Sequence, residues 1–206
     1  MSQPLRNLNS NFLDCKMQEL QSSDLDPHLT LRILREMTDY FVSLYQSGQY
    51  DKKLFLKSDN FSYNKEVLIK ERIKNFELCA SYVVFEQEAL TPPHFHPEFV
   101  VDTIVNGALK EYELDLQNGQ CTLSNVKLRQ KGSWSEIHCL KGQPHLVECL
   151  TNETIVVSTS FGQRPQSLID ERAARWSEIL GRESICFSYP NVFINSNEVN
   201  KGIICE

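Results

Sequence analysis

Five histidines, at 28, 94, 96, 138 and 145, are the residues of this 206-residue chain best suited to chemistry. Two of them form a His-x-His within PPHFHPE. In an extended strand, residues two apart point to the same face, so His94 and His96 can reach one ion together. A third neutral imidazole from another strand would complete a facial set of ligands and leave positions open for substrate or oxygen. His145, which follows Gly142 and opens the run HLVECL, is the leading candidate. Taken alone, a histidine pair is more often surface or satisfied core than ligand. Glu98 and Asp102 share strand parity with the pair and either could face inward, and Glu98 could be a fourth ligand or an acceptor orienting an imidazole. The commoner role for Pro97-Glu98 is a solvated bend. His138 reads as a supporting or structural residue, and His28, at a helix start, as unrelated to the site.

The elements that must position these residues are legible in outline. Residues 1–25 are polar with little pattern and are expected to be irregular, the first ten or so mobile. Asp26-Pro27 reads as a helix start, with Asp at the cap and Pro where a missing N–H costs nothing. Leu31, Leu34, Thr38, Phe41, Leu44 and Tyr45 follow at three- and four-residue spacings, with Gly48 as a stop, inside a helical region of 26–58. From about 60 to 163 short β-branched and aromatic runs succeed one another: 77–85, 99–105, 108–116, 121–128, 145–150 and 154–161. Asn106-Gly107 and Asn118-Gly119 supply tight turns between them. Such a series predicts an antiparallel sandwich or small barrel. Beyond Pro165, Leu168, Ile169, Ala173, Trp176, Ile179 and Leu180 describe a C-terminal helix over 166–181, followed by a tail. Residues 26–206 are thus expected to form a single, mainly β domain.

Composition narrows the function classes. The formal charge of −6 and a pI near 5.4 argue against a nucleic-acid partner, which would need clustered Lys and Arg. No apolar run approaches the roughly 20 residues of a membrane span. Seven cysteines show no CxxC pair, and MSQPLRNLNS lacks a signal pattern, so the expectation is a soluble cytoplasmic protein with reduced thiols.

Read as a unit, H94-F-H96-P-E-F-V100-V-D-T-I-V-N-G107 resembles the first motif of the cupin superfamily: His-x-His, then a Glu slot, then Gly. The Glu slot holds Val100. The second cupin motif is matched by G142-Q-P-H145, with Gly132 opening its strand and Cys149 in the place of an Asn. The resemblance implies a jelly-roll barrel and a metal ion on His94, His96 and His145.

Within that superfamily, three histidines without an acidic ligand are similar to the cysteine dioxygenases and related thiol dioxygenases. G107-A-L109-K110-E111 and Q-P-H145-L-V147-E148-C149 carry this finer likeness. It implies Fe(II), although imidazoles also suit Zn or Ni, and O2-dependent oxidation of a small thiol to a sulfinic acid. Several positions depart from the family. Val100 and, by alignment, Phe161 replace the Cys and Tyr that form a crosslink in some members, and Thr159 replaces a supporting His. The substrate-carboxylate Arg is answered by Lys65 in Y63-N-K65, which offers a point charge but no bidentate fork. Tyr63 could donate a hydrogen bond beside it. Outside the resemblance, both are more often a packing tyrosine and a solvated lysine. The implied substrate is therefore a thiol other than cysteine. A cupin enzyme acting on a non-thiol substrate and a non-catalytic ligand-binding cupin remain open alternatives.

Overall fold

The computed structural model describes residues 9–49, 63–91, 96–117, 120–138 and 145–163. Within them run α1 (Ser10–Ser22), α2 (Pro27–Gln46), β1 (Tyr63–Ile73), β2 (Phe76–Glu86), β3 (Phe99–Asn106), β4 (Ala108–Gln117), β5 (Gln120–Gln130), β6 (Trp134–His138), β7 (His145–Cys149) and β8 (Glu153–Gly162). Asn118-Gly119 and the helix and tail expected beyond Pro165 lie outside the described residues.

Helix α2 forms where Asp26-Pro27 predicts it. The Asp26 carboxylate accepts from the Leu29 N–H at 2.8 Å, and Pro27 occupies the first turn. Ile33, Leu34, Met37, Thr38, Phe41 and Leu44 line its buried face. It closes before Gly48, whose φ of 73° lets its N–H reach the Tyr45 carbonyl while the Gln49 N–H reaches that of Leu44. The helix ends at Gln46, just before the expected stop at Gly48, and the rest of the expected helical region, residues 50–58, lies outside the described residues.

Residues 10–22 correct the expectation of an irregular N-terminus. Asn9 caps α1 by accepting from the Phe12 N–H at 3.2 Å. Leu13 and Leu20, two turns apart, are both buried in the core shared with α2. Four apolar side chains in a polar stretch suffice for a helix that a neighbour stabilises, because packing outweighs propensity.

The strands form two antiparallel sheets, one in the order β1-β2-β8-β3-β6 and one in the order β5-β4-β7. This is the mainly β, jelly-roll arrangement that the spacing of strands and turns predicts. Alternation along each strand divides the apolar side chains between two cores. Val101, Val157 and Phe161 of the five-stranded sheet pack with Met37 and Phe41 of α2. Ile104 and Val156 face the other way and pack on Leu109, Val147 and Cys149 of the three-stranded sheet. Backbone bonds extend these ladders into the connections: Ile104 N–H donates to Ser133 O at 3.0 Å just before β6, and Cys149 N–H of β7 donates to Ala89 O, in the segment after β2, at 2.8 Å.

The turn at Asn106-Gly107 depends on glycine. Gly107 has φ 80°, and a Cβ there would fall 2.4 Å from the Glu153 carbonyl oxygen. Among the described residues, no helix is long and apolar enough to cross a membrane.

Candidate metal centre

His145 is the first residue of β7, and its parity places it on the face that Val147 and Cys149 turn toward the space between the sheets. It is only 6% exposed, so its ring must be satisfied by protein. Glu111 on neighbouring β4 does this, its Oε1 lying 2.6 Å from His145 Nδ1. An ionised carboxylate only accepts, so the neutral imidazole carries its proton on Nδ1 and leaves a lone pair on Nε2. That Nε2 lies 2.6 Å from Nε2 of His96, the ring centroids being 4.6 Å apart.

Two imidazole nitrogens from separate segments therefore converge on one point beside buried β-structure. This donor set suits a divalent ion that favours nitrogen ligands, and the carboxylate behind His145 is the support that ligating histidines commonly have. Among the described residues there is no group of three or more His, Cys, Asp or Glu around one point. His94, the other half of the His-x-His, lies outside them.

Behind the pair sits a buried charged group. Arg129 on β5 places Nη1 3.6 Å from Glu111 Oε2, and its Nη2 donates to the Asp102 carbonyl across the sheets at 3.3 Å. Burial disfavours the ionised form of Glu111, but the hydrogen bond from His145 and the positive charge of Arg129 outweigh it and hold the carboxyl below its ordinary range. For Asp102 burial wins. Its carboxyl is pushed up, against the opposing pull of Arg129 and a hydrogen bond to Ser158. Asp102 thus faces inward, as parity allows, but beside Arg129 and Ser158. Glu98 lies over Gly162, where a Cβ would come within 1.8 Å of its Oε2.

Val100, in the acidic slot, is fully buried and shares the inter-sheet parity of Asp102 and Ile104. The alignment-based expectation for β8 needs correction. Phe161 belongs to the helix-side core, 5.5 Å from Phe76, and Thr159 accepts from the Thr38 hydroxyl at 2.9 Å on that same side. Neither occupies a place beside the histidines, because a strand turns alternate residues to opposite faces. Ser158 and Ser160 have the inward parity instead.

Tyr63 and Lys65 lie on edge strand β1, opposite Phe85 and Val83 on β2. Tyr63 packs on Phe85 with centroids 5.7 Å apart, and burial pushes its phenol pKa up. Lys65 is exposed. His138 ends β6 with its backbone opposite Phe99, and His28 lies in the first turn of α2. Sequence reasoning quoted Glu111 only as part of a motif and missed Arg129. The available signal was parity: Leu109 and Glu111 share a face of β4, and Arg129 stands opposite Leu109 on β5.

No protein-family model matches the chain, and no curated protein does. Solved structures with a similar fold include KdgF from Halomonas sp., 16% identical with a TM-score of 0.37, covering 54% of this chain and 93% of that one. An RmlC-like cupin from Shewanella frigidimarina is 16% identical with a TM-score of 0.39, over 56% and 90% of the two chains. The polyketide cyclase RemF from Streptomyces resistomycificus is 14% identical with a TM-score of 0.44, over 63% and 91%. Cupin-domain proteins recur among these structures.

Proposed function

We propose that the chain is a cupin-type metal enzyme, a mononuclear non-heme iron oxygenase of the thiol-dioxygenase kind, acting with O2 on a small thiol other than cysteine. The observation that carries this reading is the convergence of His96 Nε2 and His145 Nε2, with His145 Nδ1 held by buried Glu111. His94, His96 and His145 would hold the ion. Bound there, Fe(II) would supply the redox chemistry that adds oxygen to a thiol sulfur.

The remaining work belongs to the chain. Val100 adds no carboxylate to the ligands, so the set is neutral. Phe85, Val147 and Val156 form an apolar wall between the sheets that excludes water. Lys65, exposed on the edge strand, offers a point charge to an anionic substrate group, and Tyr63 offers a hydroxyl beside it. The described cysteines, Cys15, Cys79 and Cys149, are free, which suits the reducing cytoplasm.

Oxygen uptake by the iron-loaded protein across a panel of small thiols tests the reading. We expect uptake matched by sulfinate formation with at least one thiol, and slower uptake with cysteine. Uptake only with carbon substrates would replace the thiol reading with another cupin oxygenase. Tight ligand binding without turnover would make the chain a binding module.

A further inference from the structure

Arg129 is buried to 7% exposure between two sheets, where an unpaired guanidinium would be costly. It makes contacts in two directions. Nη1 lies 3.6 Å from Glu111 Oε2 on the three-stranded sheet, and Nη2 donates to the Asp102 carbonyl of the five-stranded sheet. Glu111 in turn uses its other oxygen, Oε1, on His145 Nδ1 at 2.6 Å. The carboxylate therefore faces a partner at each oxygen, a guanidinium within ion-pair range at 3.6 Å on one side and an imidazole within hydrogen-bond range on the other. A carboxylate held only at the imidazole could rotate about its side-chain torsions and release Nδ1. Held as it is, it fixes both the tautomer and the ring plane of His145.

We propose that Arg129 is a positioning residue for the metal centre, acting through Glu111 to hold His145 Nε2 at the point it shares with His96. The inference rests on the metal-site reading above and extends it to a residue on a third strand. Because Arg129 also grips the backbone of β3, it sets the distance of β4 and β7 from the opposite sheet at the level of the site. Charge alone does not do this, since a lysine ammonium would lack the fork that reaches both partners.

Titration of the full-length apoprotein with Co(II) tests the proposal, reading the dissociation constant and the visible d–d spectrum, with the thermal midpoint of each apoprotein as a fold control. Arg129→Met is expected to weaken Co(II) binding by about 10-fold or more, the range seen when the support of a ligating histidine is removed, and to alter the spectrum. In a Glu111→Gln background the same substitution should add little, because the two residues act along one path. Arg129→Lys should recover part of the loss, and it carries the same comparison if Arg129→Met does not fold. A purely structural arginine would lower the thermal midpoint and leave Co(II) affinity and spectrum at wild-type values in every variant that folds. That result overturns the proposal, as does a loss of equal size with and without Glu111. If wild type itself binds no Co(II), the metal reading falls and the proposal falls with it. Wild-type binding with unaffected Arg129 variants sinks the proposal alone.

Discussion

Glu111→Ala is expected to lower stability by about 3–5 kcal/mol, the cost of stranding a buried charge when its partner is removed. The substitution strands Arg129 and leaves His145 Nδ1 without its acceptor, both within a region less than a tenth exposed. That is a large share of a small domain's stability, since the total is about 5–15 kcal/mol. Equilibrium denaturation in urea measures the loss as a fall in midpoint. Glu111→Gln should lose less, because the amide oxygen still accepts from His145. A Glu111→Ala midpoint equal to that of wild type would mean that the buried charges are satisfied elsewhere, and that the support described for His145 is not the one the protein uses.

Phe41→Ala is expected to be equally damaging to the fold and harmless to the site. Phe41 is fully buried on α2, among Met37, Val157 and Phe161, and its carbonyl accepts from the Tyr82 hydroxyl at 2.8 Å. Truncating such a ring costs about 3–5 kcal/mol through lost burial and the cavity left behind. The helices cover the face of the five-stranded sheet that points away from the histidines. Metal affinity of the folded fraction should therefore stay at its wild-type value while the urea midpoint falls. Loss of metal binding in a folded Phe41→Ala protein would show that the two cores are coupled more closely than their separate packing suggests.

Strands β2, β3, β4, β5, β7 and β8 announce themselves, since Val, Ile, Phe and Tyr recur in short runs, with Asn-Gly pairs in the sequence between β3 and β4 and between β4 and β5. Strand β1 hides because it is an edge strand. Lys65, Lys70, Glu71 and Arg72 are exposed and break its apolar pattern. Helix α1 hides for the related reason that it buries one thin stripe in a polar sequence. His96 and His145 stood out through strand parity read together with the cupin-like motifs, whereas their supports did not. A glutamate and an arginine on two strands look like any solvated charges until pairing of β4 with β7 sets Glu111 diagonally across from His145, and packing of the two sheets brings Arg129 to the Asp102 carbonyl. Phe161 and Thr159 show the opposite failure. Motif alignment set them in the places of a Tyr and its supporting His beside the metal in related proteins, but a strand's two-residue period turns them to the helix side.

The central claim is that His94, His96 and His145 hold one metal ion, and the metal content of the purified protein tests it most directly. Wild type should carry near-stoichiometric iron, and His94→Ala and His145→Ala should each lose it while remaining folded. A wild-type protein that carries no metal even after anaerobic loading with Fe(II), or folded variants that keep the wild-type content, would contradict the account.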